Sequence, residues 1–311
     1  MADREQELTA RIATGVASID PALWNRFAGA DPLLGQAFLS LLEESGSVGP
    51  GTGWTPLPVL AALEAITTQN GLSSAHVTFC TAEEAEVAEA RGWLLRHGLQ
   101  YHWFNRGYGS FEDFLGALSS RKRKAIRKER AAAAEDLDVV TLRGSEIAPR
   151  HWDAMWAFYQ DTGSRKWGHP YLTREWFDRA GETLGDSALM FLALRGEQPI
   201  AGALNIVGRE TLYGRYWGCI AELPFLHFEL SYYRAIEWAI ANGMGSVQAG
   251  AQGEHKLARG YEPVVTHSVH FIPDPGFRSA IADFLIRERE AVDSELDWCR
   301  EALPYRSDVS S

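Results

Sequence analysis

A mixed α/β fold of the α+β kind, with one sheet flanked by helices, is what three features of this 311-residue chain predict. Residues 187–195, 198–207 and 211–219 are apolar runs separated only by the short turns around Gly196 and Gly208, which makes them an antiparallel meander. Patterns of helical period at 149–160 and 226–242 lie on either side of it, so the meander has apolar cover. A polar segment, Gly250-Ala-Gln-Gly-Glu-His-Lys-Leu-Ala-Arg-Gly-Tyr-Glu-Pro263, then joins a short strand at 246–249 to another at 264–272.

Taken in order, Asp20-Pro-Ala-Leu-Trp-Asn-Arg-Phe27 and Ala37-Phe-Leu-Ser-Leu-Leu-Glu-Glu-Ser45 are short amphipathic helical patterns. Residues 46–58 are a Gly-, Pro- and Ser-rich connection. Residues 59–69 are apolar at helical spacing and stop at Asn70-Gly71. Residues 75–80 and 101–105 alternate as strands around a helix at 82–92, and His76 and His102 fit that alternation as strand residues rather than ligands. A helix at 111–118 leads into Arg121-Lys-Arg-Lys-Ala-Ile-Arg-Lys-Glu-Arg130, helix-compatible and carrying seven cations in ten positions. A strand at 137–143, the helix at 149–160, a turn at 162–164 and a helix at 174–180 precede the meander, and 275–298 is a closing amphipathic helix.

Composition limits the function. A net charge of −11 excludes a general nucleic-acid binder, because an acidic body repels phosphate backbones at long range. No stretch approaches the roughly 20 apolar residues of a membrane helix, and the beginning of the chain lacks a signal-peptide apolar region, so the expectation is a soluble protein of the cytoplasm. Cys80, Cys219 and Cys299 have neither metal-ligand spacing nor the number for a disulfide framework, and no metal is expected.

Chemistry-bearing residues gather in a few places. The glycine-framed loop brings Glu254, His255, Lys256 and Arg259 together, where backbone and charge can approach a ligand jointly. Arg121, Arg123, Lys124, Arg127 and Lys128 form either an anion site or a solvated helix face. Arg165, Lys166, Trp167 and His169 make a second polar-aromatic loop, suited to an anionic or planar group or simply to packing. Arg215 alternates with Trp217 along one strand, as a site residue or a charge with an acidic partner.

The order strand, helix, helix, meander, helix, strand, loop, strand resembles the acyltransferase fold of the GNAT superfamily. The basic segment 120–130, the strings 158–171 and 214–219, His227-Phe-Glu-Leu-Ser-Tyr-Tyr233 and 249–261 are similar to the bacterial FemAB-like group of N-acyltransferases of peptidoglycan biosynthesis or recognition, over roughly 59–305. In that group several strands lie between the counterparts of Pro56 and Val59, and here Pro58 runs straight into Val59. The resemblance therefore implies a truncated N-terminal GNAT-like half at 1–118 and a more complete acyltransferase domain at 119–311.

It also implies a chemistry: transfer of an acyl or aminoacyl group from acyl-CoA or aminoacyl-tRNA to the amine of a small molecule or cell-wall precursor. Lys256 would polarise the carbonyl, and His255 or Glu254 would accept the amine proton. Arg215, Trp217, Arg165, Trp167, His227, Glu229 and Arg259 would contact substrate, and the basic segment could contact tRNA. His227 and Glu229 fall where the superfamily holds coenzyme A pyrophosphate, but 219–227 lacks the glycines such a loop uses. The alternative is a non-catalytic GNAT-fold protein holding an anionic ligand on the basic helix.

Overall fold

The structure is a computed structural model and describes residues 15–28, 32–48, 63–165, 171–221, 223–251 and 253–306. Its centre is one sheet of eight strands: β1 Ala75–Cys80, β2 Leu94–Phe104, β3 Asp138–Arg143, β4 Ala188–Arg195, β5 Gln198–Val207, β6 Thr211–Cys219, β7 Ser246–Gln248 and β8 Glu262–Phe271. They lie in the order β1-β8-β2-β7-β6-β5-β4-β3, and among the described residues only β6 and β7 run parallel. Strands from both sides of residue 118 thus share one sheet.

The helices are α1 Pro21–Ala28, α2 Gln36–Glu44, α3 Leu63–Gln69, α4 Ala82–Ala90, α5 Phe111–Ala117, α6 Ser120–Ala133, α7 Pro149–Arg165, α8 Arg174–Leu184, α9 Leu226–Phe228, α10 Arg234–Ala241 and α11 Pro275–Glu301. β4 and β5 are buried on both faces, which is why they read as continuous apolar runs. Along β4, Leu189, Phe191 and Ala193 join the core with α5, α6 and α10, while Met190 and Leu192 join the core with α2, α7 and α8.

α7 crosses β5 and β6 closely enough that glycine is required beneath it. A Cβ on Gly218 would stand 2.3 Å from the Phe158 carbonyl oxygen, and backbone cannot swing aside as a side-chain tip can. Gly218→Ala is expected to cost about 1–3 kcal/mol, read as a lower urea midpoint at unchanged slope.

Several elements differ from the sequence reading. The turn expected at 162–164 is the last turn of α7, whose preceding residues are already held on β5 and β6. β2 starts at Leu94 rather than 101; Arg96, His97 and Gly98 hide the apolar alternation, and Gly98 faces Thr266 Oγ1 across β8. The helix at 226–242 contains a π-helical turn, Glu229–Tyr233, between α9 and α10. Residues 254–259, expected as part of a polar loop, form a 3₁₀ helix. The residues expected to begin the helix at 59 lie outside the described residues until Leu63.

β1 is an edge strand joined to β8 through paired histidines, with His76 Nδ1 2.7 Å from His270 Nδ1. Burial, His76 and Arg96 hold the His270 pKa below its ordinary value. The unfolded chain therefore takes up this proton first, and the contribution is lost as pH falls below about 6.5. Melting at pH 5 against pH 7 should show an acid-induced drop that His270→Gln diminishes.

Candidate functional site

β6 and β7 pair only from Thr211 to Tyr213 against Ser246 to Gln248. β6 continues to Cys219, whereas the other chain turns away: Ala249 N–H donates to Tyr101 O and Tyr101 N–H to Gly250 O, tying that turn to β2. Where two parallel strands part in this way an opening is expected, here between the second half of β6 and the 249–251 turn.

The 3₁₀ helix closes one side of the opening. Side chains three apart eclipse on such a helix, so Lys256 and Arg259 both point inward and are buried, while Glu254 and His255 are more exposed. The ammonium of Lys256 donates to Ala249 O at 2.6 Å and Gly250 O at 3.1 Å, and sits 5.5 Å from the Tyr101 ring centroid. Burial pushes its pKa down to about 8. An ammonium has three protons to donate, so one remains for a ligand.

Arg259 donates to Glu129 Oε2 at 2.7 Å and to His255 O at 2.7 Å, with its guanidinium 3.4 Å from the Phe228 ring centroid. Glu129, the one acid among the cations of 121–130, also accepts from the Tyr233 hydroxyl, which docks α6 on the π-helical turn. His255 Nε2 shares a hydrogen bond of 3.0 Å with the Tyr232 hydroxyl. Burial, then Arg259 and Lys256, lower the His255 pKa, so at neutral pH its imidazole is uncharged and can accept a proton. Tyr232 is pushed up to about 12, chiefly by burial, and stays a phenol.

An aromatic wall completes the site. His227 lies 5.0 Å from Trp217, 5.2 Å from Tyr232 and 6.1 Å from His255, ring centroid to centroid, and Phe228 lies 5.4 Å from His255. Lys256, His255, Arg259, His227 and Trp217 are therefore brought into one neighbourhood.

Others among the expected site residues are placed differently. Arg215 is the unpaired residue of a β-bulge, since Leu204 pairs with Tyr216 and Asn205 with Gly214. The extra residue breaks the alternation with Trp217: Arg215 is exposed and leans 5.6 Å over the Tyr216 ring, on the α7 and α8 side. There Tyr216 shares a hydrogen bond of 2.6 Å with Tyr171. Glu229 is buried and held by Arg130 at 3.0 Å and Arg234 at 2.8 Å, and Arg130 also reaches Glu237 at 2.9 Å. Lys166, Trp167, His169 and the side chain of Arg165 lie outside the described residues. On α6, Arg121, Lys124, Arg127 and Lys128 are exposed and Arg123 is half-buried, with Arg127 paired to Glu112.

Sequence reasoning missed Phe228, Tyr232, Tyr233, Glu129 and Arg130. A lone glutamate inside a basic run was the available signal for the docking of α6; the ring positions depend on the π-helical register, which the sequence pattern does not display. Among the described residues no group of three or more His, Cys, Asp or Glu is arranged to hold a metal ion. None of their helices is long and apolar enough to cross a membrane.

Residues 15–64 and 57–307 match the FemAB-like family of peptidoglycan biosynthesis/recognition, and the chain belongs to it. The two matched segments overlap at 57–64. No curated protein sequence matches the chain. Among solved structures it is similar to FemX at 11% identity, covering 85% of this chain and 98% of that one with a TM-score of 0.54. It is also similar to L-PGS from Bacillus licheniformis, at 10% identity over 71% of this chain and 76% of that one, TM-score 0.51. A GCN5-related N-acetyltransferase from Kribbella flavida aligns at 14% identity over 70% and 76%, TM-score 0.36. The fold is the GNAT-type mixed sheet flanked by helices, as seen in FemX.

Proposed function

We propose that this chain is an N-acyltransferase that moves an acyl or aminoacyl group from an activated donor to an amine, on a small molecule or a cell-wall precursor. The observation that carries the reading is the buried Lys256 ammonium, anchored on two backbone carbonyls where β6 and β7 part, with the uncharged His255 in the same opening. Membership of a family of peptidoglycan biosynthesis/recognition and a fold shared with FemX and L-PGS support this proposal.

In this reading the neutral amine attacks the donor carbonyl carbon and His255 accepts the amine proton, directly or through Tyr232. The oxyanion receives the remaining Lys256 N–H. The bond from carbonyl carbon to the donor oxygen then breaks, and the proton passes to the departing oxygen. Coenzyme A fits poorly as donor. The loop after β6 has no glycine between Ile220 and Phe225, Pro224 has no N–H, and the amides of Leu226 and Glu229 donate to Leu223 and Phe225. This favours an oxygen ester such as aminoacyl-tRNA, whose phosphates the cations of α6 would attract, in a protein acting in the cytoplasm.

The test is product mass after incubation of the purified protein with charged tRNA or acyl-CoA and a panel of amines. A product with the added acyl mass, absent for Lys256→Ala, is expected. An absence of transfer from every donor, together with retained ligand binding, would replace the enzyme reading by the anionic-ligand binding protein.

A further inference from the structure

We propose that Tyr101 of β2 is the positioning residue of this site: its backbone fixes the carbonyls that hold the Lys256 ammonium, and its ring face steadies the charge, so that the third N–H stays turned to the opening. The proposal rests on the reading of Lys256 as donor to the oxyanion. Tyr101 uses both of its backbone groups on one side, accepting from Ala249 N–H at 3.1 Å and donating to Gly250 O at 3.2 Å. A residue in an antiparallel ladder directs both groups to the same neighbour, so no bond to β8 is needed at this point. The residue opposite Tyr101 on β8 is accordingly Pro263, which has no N–H. Gly250 O then accepts a second time, from Lys256 Nζ at 3.1 Å, and Ala249 O accepts from the same Nζ at 2.6 Å.

The side chain adds a second constraint. Lys256 Nζ stands over the Tyr101 ring, 5.5 Å from its centroid, within reach of cation–π attraction but too far for the ring to accept a proton. The ring is itself immobile: Tyr101 is 2% exposed, and its hydroxyl lies 3.7 Å from Sγ of Cys299, a fully buried residue of α11. Burial, then the Cys299 hydrogen bond, push the Tyr101 pKa up, so the ring meets Lys256 as a neutral phenol and acts through its π face rather than as an anion. The tip of a flexible four-carbon stem is thereby held by two carbonyl dipoles and a π face, none of which takes its third proton.

The other groups around this pair are Glu254, His255 and Arg259 of the 3₁₀ helix, Tyr232 of the π-helical turn, Glu129 of α6 and Glu295 of α11. On β8, Glu262 is paired with Arg106 at 2.9 Å. Several of these titrate, so a decisive change alters the charge distribution of the Tyr101 ring and leaves all of them in place. Fluorine does this: it withdraws electron density from the ring face with little change in size, so attraction for the ammonium falls while the packing stays. The backbone bonds of Tyr101 are untouched by a change in its side chain. A ring that only fills the core would be indifferent to fluorination.

The experiment follows the titration of Lys256 by NMR in the full chain labelled with isotopic lysine. Lysines occur only at Lys122, Lys124, Lys128, Lys166 and Lys256, and the signal is assigned by its loss in Lys256→Arg. Tyr101→Phe keeps the ring and should titrate near the parent, at about 8. Mono-, di- and trifluorinated phenylalanine at the same position should lower the midpoint step by step, by roughly half to one pH unit in total, because weaker cation–π attraction disfavours the charged form. The alkaline limb of transfer activity should move down with it at little-changed KM. A midpoint that stays in place or rises across the series overturns the proposal and leaves Tyr101 a core residue. A midpoint that falls in a protein without turnover upholds the hold of Tyr101 on Lys256 and counts against the acyltransferase reading alone, so the two failures are told apart.

Discussion

Lys256→Ala is expected to lower turnover by roughly a hundredfold to a thousandfold, the loss seen when one oxyanion donor is removed. The pH profile separates a chemical role from a merely structural one. A neutral lysine amine keeps two N–H donors, enough for Ala249 O and Gly250 O but none for the substrate. Activity should therefore fall as pH rises through about 8, the value to which burial brings Lys256. It should also fall on the acid side, below the lowered His255 pKa, once that imidazole is protonated. Lys256→Arg keeps its charge, so whatever activity it retains should lack the alkaline limb.

Stability moves in the opposite direction over the same range. The folded pKa of Lys256 lies below the unfolded value of 10.5, so between about 8 and 10.5 the unfolded chain holds the extra proton. Folding stability contributed by this group rises with pH across that window, and Lys256→Met should flatten the rise. An alkaline activity limb that remains in Lys256→Arg would assign the limb to another group and remove Lys256 from the reaction.

Much of this fold could be read in advance because its strongest signals are local. The meander has tight turns between apolar runs, and α10 and α11 show long helical periods. The charged loop was equally visible, since Gly250, Gly253 and Gly260 all adopt positive φ and few other residues do so readily. Where the reading fell short, the missing information was geometric. A bulge at Arg215 turns one side chain to the opposite face of the sheet, and a π-helical turn shifts Glu229 through Tyr233 by one position. Neither event changes composition or average period. Glu229 therefore looked like a charge at a helix start, although it is enclosed by the two arginines that hold α6 and α10 together.

That enclosure gives Glu229 the largest expected effect on stability. Its carboxylate is 1% exposed and accepts from Arg130 Nε and Nη2 and from Arg234 Nε, while Arg130 also lies 4.5 Å from the Phe111 ring. Removing one member of a buried ion cluster strands the others without counter-charge, at about 3–5 kcal/mol, whereas an exposed pair contributes under about 1 kcal/mol. Glu229→Ala should lower the urea midpoint by that larger amount. Arg130→Met should do likewise, and the double variant should cost clearly less than the sum, because the stranded charge is counted in both single variants. Glu237, which also binds Arg130, limits the loss in Glu229→Ala, so Glu229→Ala/Glu237→Ala should be less stable still. A Glu229→Ala protein that unfolds at the parent midpoint but fails to bind substrate would instead return Glu229 to the ligand contacts.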